Sequence, residues 1–255
     1  MRGLKGKSVL ITGAGGGIGQ ALCVRFAEEG CRLGLIDLNA HAVEAAAQRA
    51  RGAGATATTY PVDITDYGAV KSAVDAFADE AGRIDVLINN AGWDKFAPFL
   101  ETKPDLWDKV IAINLKGPIN LHHAVLPHMV KAKSGRVVNI ASDAGRVGSS
   151  GESVYAACKG GIIAFTKTMA REMARFDVKL NAVAPGPTDT ALFHSFIGEG
   201  EAGQKVHAAL EKSIPLRRIA KPEDIVGMVA FLASDEADYI TGQVISVSGG
   251  LTMHG

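Results

Sequence analysis

A tyrosine and a lysine stand four residues apart in the segment Tyr155-Ala-Ala-Cys-Lys159. The stretch from Ser153 to Arg175 has the pattern of a helix, and residues spaced i, i+4 on a helix project from the same face. A free tyrosine loses its proton near pH 10 (about three pH units above neutral), but a nearby ammonium would stabilise the phenolate. The pair could therefore pass a proton to and from a bound substrate.

Ser142 supplies a hydroxyl at the end of another element. It closes a predicted strand that begins at Arg136. In parallel α/β sheets, ligands bind at the carboxyl ends of the strands. We therefore expect the Ser142 hydroxyl to hydrogen-bond an oxygen of the substrate.

A glycine-rich loop, Thr12 to Gly19, directly follows the apolar run Val9-Leu10-Ile11 and opens a predicted helix that ends near Glu29. Positions without side chains let the backbone approach a pyrophosphate, and a helix N-terminus offers free N–H groups to an anion. The loop residues that we expect to contact a dinucleotide are Gly13, Gly16, Gly17 and Ile18. The order of strand, loop and helix gives this motif more weight than its glycines alone.

The next predicted strand, Arg32 to Asp37, ends on a carboxylate about 20 residues beyond the loop, where such a group binds the adenosine ribose hydroxyls of NAD. Asp37 would repel the 2′-phosphate of NADP. Leu38 follows it, and no Lys or Arg within the glycine loop could neutralise that phosphate. The sequence therefore favours NAD as the cofactor. As an alternative, Asp37 caps the helix that follows Asn39 and Ala40.

Strand and helix patterns alternate along the whole chain. Further predicted strands are Thr58 to Asp63, Ile84 to Asn89, Arg136 to Ser142, Lys179 to Ala184 and Gln243 to Val247. Further predicted helices are His41 to Ala50, Tyr67 to Ala81, Leu106 to Lys133, Ser153 to Arg175 and Pro222 to Leu232. This alternation predicts an α/β protein, a Rossmann fold with a doubly wound, seven-stranded parallel sheet and helices on both faces.

Domain organisation follows from what interrupts this pattern. No linker or internal repeat divides residues 1–255, which predicts a single domain. Gly117-Pro118 falls inside the predicted helix 106–133 and should kink it. Between about Thr190 and Pro215 the alternation of strand and helix patterns is lost, and an apolar stretch is followed by a glycine-rich one. This is typical of a mobile lid over a substrate. A surface insertion with no gating role is the alternative.

Composition excludes several function classes. The 255 residues carry 27 basic and 27 acidic side chains, so no overall field favours nucleic acid or an anionic membrane. No apolar run reaches the roughly 18 residues of a membrane span, and residues 1–7 precede no signal-peptide core. Three cysteines without a C-x-x-C pair fit a reducing compartment. We expect a cytoplasmic protein.

Several motifs together resemble the short-chain dehydrogenase/reductase family, from about Leu4 to Gly250. They are the loop Thr12 to Gly19, Asp63-Ile64, Asn89-Asn90-Ala91-Gly92, Asn114, Ser142, Tyr155-x-x-x-Lys159, Pro185-Gly186-Pro187-Thr188, Thr241-Gly242-Gln243 and Ser248-Gly249-Gly250. Their order makes the resemblance specific, since any one of them alone would be unconvincing.

The resemblance implies an NAD-dependent oxidoreductase that interconverts a secondary alcohol and a ketone. It implies a catalytic set of Asn114, Ser142, Tyr155 and Lys159, in which Asn114 links Lys159 to solvent through water and Lys159 also holds the nicotinamide ribose. Further residues that it places at the cofactor are Asp63, Ile64, Asn90, Ala91, Gly92, Pro185, Gly186, Thr188 and Thr190. It also implies a homotetramer.

The substrate is the least readable feature, because the family acts on many substrates with nearly identical catalytic residues. The chain is most similar to reductases and dehydrogenases of β-ketoacyl and β-hydroxyacyl thioesters, which implies a CoA thioester such as 2-hydroxycyclohexanecarboxyl-CoA. Trp93 after Asn-Ala-Gly, with Phe193 and Phe196 in the lid-like stretch, would suit a ring-bearing substrate, although core packing or subunit contact would also explain these aromatics.

Alternatives remain within and outside the enzymes. A 3-oxoacyl-acyl-carrier-protein reductase and a sugar or polyol dehydrogenase would use the same catalytic residues. A non-catalytic NAD sensor is disfavoured by the intact Ser142, Tyr155 and Lys159.

His122 and His123 are adjacent on a helix and face different directions, so we expect surface or interface residues and no metal site.

Overall fold

Seven strands form one sheet in the computed structural model, which describes residues 1–198 and 200–253. The strands are β1 Ser8–Thr12, β2 Arg32–Asp37, β3 Ala57–Pro61, β4 Val86–Asn89, β5 Gly135–Ile140, β6 Val178–Pro185 and β7 Val244–Val247. Their order is β3-β2-β1-β4-β5-β6-β7, and every pair is parallel. The doubly wound parallel sheet is confirmed, and the strand order reverses direction between β1 and β4, where such folds bind ligands.

The helices lie between the strands. They are α1 Gly17–Glu28, α2 Ala40–Gly52, α3 Tyr67–Ala81, α4 Pro104–Ile111, α5 Gly117–Ala132, α6 Ala144–Val147, α7 Ser153–Met173, α8 Ala191–Ile197, α9 Gly200–Ser213 and α10 Pro222–Ala233. Local signals explain several starts: the Asn39 side chain accepts hydrogen bonds from the His41 and Ala42 amides, and Asp66 accepts one from Ala69. None of the helices in the described ranges combines the length and apolarity of a membrane span.

The core has two layers, one on each face of the sheet. Alternate residues of a strand serve different layers: Leu10 and Ile36 pack with the layer of α3 and α5, whereas Ile11 and Leu35 pack with that of α1, α2 and α10. All four side chains are fully buried. Because both faces are covered, the central strands β1 and β4 are mostly apolar rather than alternating, which made them readable in the sequence.

The predicted helix 106–133 is interrupted just before Pro118. A π-helical turn, Ala112–Lys116, separates α4 from α5, and the Gly117 amide donates to Ala112 O, five residues back. Pro118 then lies in the first turn of α5, where a missing N–H is tolerated. The irregularity expected from Gly117-Pro118 is therefore a widened turn, and Asn114 lies within it.

The stretch 190–215 is more ordered than its sequence pattern suggested. It forms α8 and α9, and the Thr190 side chain caps α8 by accepting a hydrogen bond from the Phe193 amide at 3.2 Å. Phe193, Ile214 and Ile219 form a small buried cluster of their own. The expectation of an irregular stretch was wrong because tertiary packing supplies the apolar face that the local pattern lacks. Glu199, in the glycine-rich part, lies outside the described residues.

Candidate active site

A cavity of about 680 Å³ opens at the carboxyl ends of β1, β2 and β4; we call it the glycine-loop cavity. Residues that the sequence assigned to the cofactor line it: Gly13, Gly16, Gly17, Ile18, Asp37, Leu38, Asp63, Ile64, Asn90, Ala91, Gly92 and Thr190. Its size falls within the range usual for small-molecule sites.

The glycine loop leaves no room for a side chain at four of its positions, Gly13, Gly15, Gly17 and Gly19. Gly13 has φ +63°, a conformation that favours glycine, and a Cβ there would lie 2.7 Å from Ala91 Cα. A Cβ on Gly17 would lie 2.7 Å from the Thr190 side chain. The loop therefore packs tightly against its neighbours and presents the N-terminus of α1 to the cavity.

Thr12 and Asn90 lock this loop to β4. The Thr12 hydroxyl accepts hydrogen bonds from the amides of Asn90 and Ala91 at 3.0 and 3.1 Å. The Asn90 side chain donates to Thr12 O and Gly13 O, both at 3.0 Å. Sequence reasoning did not single out Thr12, although a polar residue at the end of an apolar strand was the available signal.

Asp37 lies at the end of β2 and faces the loop. Its carboxylate accepts hydrogen bonds from the amides of Gly15 and Asn39, both at 2.9 Å. Asn39, and not Asp37, caps α2, so the capping alternative for Asp37 does not hold. A glycine cradle at a helix N-terminus with a carboxylate beside it fits the pyrophosphate and ribose of a dinucleotide.

A second cavity, of about 450 Å³, contains the tyrosine; we call it the tyrosine cavity. Its lining includes the predicted residues Ser142, Tyr155, Lys159, Pro185, Gly186, Thr188 and Phe193. It shares Ile18, Asn90, Gly92 and Thr190 with the glycine-loop cavity, so the two form one cleft.

Tyr155 and Lys159 lie on one face of α7, as their spacing predicted. Lys159 Nζ is 5.4 Å from the centre of the Tyr155 ring and donates to Ile140 O at 2.9 Å. Burial lowers the pKa of Lys159 to about 8. Burial also raises the pKa of Tyr155, the negative charge of Glu152 raises it further, and a hydrogen bond from Ser142 lowers it.

Asn114 is fully buried and is engaged with the backbone. Its side-chain amide donates to Trp93 O at 2.6 Å and to Val110 O at 2.9 Å, and its Oδ1 accepts from the Trp93 amide at 3.2 Å. A Cβ built on Gly92 would lie 3.0 Å from Asn114 Oδ1 and 3.5 Å from Lys159 Nζ. Asn114 thus fixes the chain beside Lys159, without a direct bond to it.

Two carboxyl groups near Tyr155 were missed by sequence reasoning. Glu152 lines the tyrosine cavity one turn before Tyr155, and burial raises its pKa. Asp94 belongs to the segment after β4, and burial raises its pKa to about 6. The two segments are joined by a hydrogen bond from the Ala97 amide to Gly151 O at 3.0 Å. No spacing rule links Asp94 to Glu152, because they are 58 positions apart along the chain.

Trp93 lines the cavity assigned to the cofactor, whereas His122 lies elsewhere than expected. Trp93 lines the glycine-loop cavity, with Lys109 Nζ 3.9 Å from the centre of its ring, rather than the tyrosine cavity. His122 is not a surface residue: it is 1% exposed, contacts Pro118 O through Nδ1 at 2.7 Å, and burial lowers its pKa to about 4. The sequence did not show the burial of His122. His122 and the exposed His123 face different directions on the helix, but spacing alone does not tell which of the two faces the core.

Comparison with known proteins agrees with this geometry. A family model described as enoyl-(acyl carrier protein) reductase matches residues 13–252. The 3-oxoacyl-[acyl-carrier-protein] reductase of Thermotoga maritima is 39% identical over 250 residues, which are 98% of this chain and 99% of that protein.

Solved structures match over almost the whole chain as well. Levodione reductase superposes with a TM-score of 0.91 at 35% identity, covering 96% of this chain and 97% of that one. An NAD⁺-bound xylitol dehydrogenase gives a TM-score of 0.87 at 34% identity, covering 98% and 100%. The chain belongs to the short-chain dehydrogenase/reductase family, and it is an oxidoreductase that acts between an alcohol and a ketone.

Proposed function

We propose that this protein is an NAD-dependent dehydrogenase of a secondary alcohol in which Tyr155 is the general acid and base. The observation that carries the proposal is the tyrosine cavity, where Tyr155, Ser142 and Lys159 converge next to the glycine loop. Bound NAD would accept the hydride from the carbinol carbon, and NADH would return it to the ketone. The remaining steps belong to the residues of this chain.

In oxidation, Tyr155 as phenolate takes the hydroxyl proton while the Ser142 hydroxyl donates a hydrogen bond to the same substrate oxygen. In reduction, the Tyr155 phenol gives that proton to the forming alkoxide. The raised pKa of Tyr155 keeps it protonated at neutral pH, which suits reduction. Oxidation requires positive charge close to the phenol to lower this pKa, and the Lys159 ammonium on the same helix face supplies it.

NAD is favoured over NADP by the carboxylate of Asp37. It faces the loop at the end of β2 and would meet the adenosine ribose, where a 2′-phosphate would be repelled. Lys109 lines the same cavity, but its ammonium lies over the Trp93 ring. The NAD⁺-bound xylitol dehydrogenase, a solved member of the family, supports the same choice.

The substrate that best suits the tyrosine cavity is a ring-bearing β-hydroxyacyl-CoA, for which 2-hydroxycyclohexanecarboxyl-CoA is our specific proposal. The cavity walls beyond the polar groups are apolar: Val147, Leu192, Phe193, Phe196, Leu210 and Leu251. Phe196 also contacts Phe96 edge to face, with ring centres 4.8 Å apart. We propose that α8 and α9 act as the lid that closes on this ring.

Two other substrates each have one supporting observation. The 39% identity to a 3-oxoacyl-[acyl-carrier-protein] reductase favours reduction of a carrier-bound ketoacyl chain. The Glu152 carboxylate in the tyrosine cavity favours a polyol, whose additional hydroxyl groups could donate to it. Homotetramer formation and a cytoplasmic location, both implied at the sequence level, remain proposals.

Initial rates against a panel of substrates separate these functions. The panel is 2-hydroxycyclohexanecarboxyl-CoA and xylitol for oxidation, and acetoacetyl-CoA for reduction, each with NAD(H) and NADP(H). Fastest NAD-linked oxidation of the alicyclic thioester is expected. NADPH-linked reduction of acetoacetyl-CoA as the best reaction would contradict both the cofactor and the substrate proposed.

Tyr155→Phe tests the role of the tyrosine independently of the substrate. Turnover should fall by at least about 100-fold, because general acid–base catalysis contributes that much or more. The affinity for NADH, measured by nicotinamide fluorescence, should stay within about twofold of the native value, because the phenylalanine ring keeps the shape of the site. Near-native turnover would rule out Tyr155 as the acid and base.

A further inference from the structure

A buried polar chain ties the turn that carries Ser142 to the last strand of the sheet. Asp143 follows Ser142 and is only 5% exposed, although it is a carboxylate. The Ser246 hydroxyl donates a hydrogen bond to Asp143 Oδ1 and accepts one from Arg146 Nη1 at 3.0 Å. One hydroxyl on β7 therefore bridges a carboxylate and a guanidinium that stand 103 and 100 residues away in sequence.

This turn, residues 142–147, is held on two sides. On one side Gly145 lies against α7, where an added Cβ would be 2.7 Å from the backbone of Lys159 and Gly160. On the other side Arg146 Nη1 also donates to Val244 O at 3.2 Å. The Asp143 amide donates to Pro185 O at 3.0 Å, at the end of the intervening strand β6. The turn thus spans from Lys159 to β7.

The segment that follows β7 contributes to the lining of the tyrosine cavity. The chain leaves β7 at Val247 and reaches Leu251 and Thr252, which line that cavity together with Ser142. A shift of β7 relative to the 142–147 turn would therefore change the distance between two parts of the lining of the cavity. A displacement of about 1 Å in a reacting geometry can reduce the rate about 100-fold.

The polar chain is an unfavourable way to stabilise a fold. Among the described residues, Asp143 Oδ2 is buried and has no hydrogen-bond partner. An unsatisfied buried acceptor destabilises a protein, and apolar residues at such sites are often more stabilising than buried ions. Polar networks of this kind instead specify one arrangement of the elements that they join.

We propose that Asp143, Arg146 and Ser246 are positioning residues that fix the Ser142 turn against β7 and so set the position of the Ser142 hydroxyl beside Tyr155 in the tyrosine cavity. The inference rests on the proposed role of Ser142 and Tyr155 in proton transfer. Asp143 and Arg146 act through Ser142 and do not themselves exchange protons with substrate. The three residues come from two segments that no local motif connects.

Ser246→Ala and Ser246→Thr, measured beside Ser142→Ala, test this role with the best substrate of the panel. Ser246→Ala should lower kcat about 10-fold, since the turn becomes free to move, and should leave NADH affinity unchanged. It should also move the oxidation pH profile to higher pH, in the same direction as Ser142→Ala, because the Ser142 hydrogen bond lowers the pKa of Tyr155. Ser246→Thr, which keeps the hydroxyl, should restore both.

Other outcomes separate this inference from the proposed function. Native kcat and an unmoved pH profile in Ser246→Ala overturn the positioning role. A lower melting temperature with an unmoved profile, not rescued by threonine, also overturns it and indicates a structural role only. Should Ser246→Ala fail to fold, Asp143→Asn is measured in its place with the same criteria. Native turnover in Ser142→Ala would instead refute the proposed function of the site, and with it the basis of the inference.

Discussion

The two cavities of the cleft are built by different means. One side of the glycine-loop cavity is backbone at the end of β1, where Gly13 and Gly17 admit no side chain and Thr12 joins the loop to β4. The walls of the tyrosine cavity are side chains drawn from residues as distant as Ile18 and Thr252. The first can vary little without losing its shape, whereas the second can accept new substrates by exchanging side chains on the same frame.

Among the variants that test this difference between the cavities, a glycine substitution in the loop should have the largest effect on stability and NADH binding. Gly13→Ala places a Cβ in the left-handed region and against Ala91, so it should destabilise the chain by at least about 1 kcal/mol and abolish NADH binding. Gly16→Ala is the matched control, because its Cβ meets no atom closer than 3.4 Å. Its melting temperature should stay native while its NADH affinity falls. A stable, NADH-binding Gly13→Ala would show that the loop is not conformationally restricted.

Asp37→Asn tests selectivity within the same cavity. The asparagine keeps an acceptor for the Gly15 amide but removes the charge, so the ratio of kcat/KM for NAD over NADP should fall by about 10-fold or more. The measurement is the initial rate with each cofactor at subsaturating concentration. Asp63→Asn, which alters another carboxylate of the cavity, is the control and should change this ratio much less. An unchanged ratio in Asp37→Asn would show that NAD selectivity comes from elsewhere.

Phe196→Ala should alter the tyrosine cavity and leave the glycine-loop cavity intact. Removing this ring takes away an apolar wall and its edge-to-face contact with Phe96, so the KM for the ring substrate should rise about 10-fold. NADH affinity should not change. Phe99→Ala is the control, because Phe99 is half exposed and stacks on Trp107 outside both cavities. Equal effects of both variants on KM would contradict the role of Phe196 in the cavity.

Glu152→Gln should produce the smallest change, and it concerns pH. The negative charge of Glu152 raises the pKa of Tyr155, so its removal lowers that pKa. Oxidation needs the phenolate, and its rate rises with pH through this pKa; the profile of Glu152→Gln should therefore move to lower pH. Glu101→Gln, at an exposed position, should leave the profile in place. A movement to higher pH would show that Glu152 assists Tyr155 instead.

Much of the fold was predictable because its signals are local. Apolar runs bounded by turns located all seven strands to within a few residues, since a parallel strand covered on both faces has few polar positions. Asn39 and Asp66 mark helix starts by side chains that bond amides two or three residues away. The stretch of α8 and α9 was misread because its helices are stabilised by packing against each other in a cluster around Phe193, Ile214 and Ile219, which the local pattern does not show.

The site residues likewise fall into those that local sequence signals predicted and those that they did not. The glycine loop, Asp37 and the Tyr155–Lys159 pair could be read directly, because backbone freedom, strand ends and helical spacing are properties of short segments. Asp94 and Glu152 could not, nor could the burial of His122, because electrostatic and packing environments depend on which segments the fold brings together.

The sequence by itself determined the family, the succession of strands and helices along the chain, and the main candidate residues of the site. Only the tertiary structure decided that Trp93 faces the glycine-loop cavity and that Ser246 joins Asp143 to Arg146 across β6. The physical reason is range: hydrogen-bonded turns and amphipathic periods act over a few residues, whereas the field at Tyr155 and the anchoring of its serine partner are set by groups that only folding brings within a few ångströms.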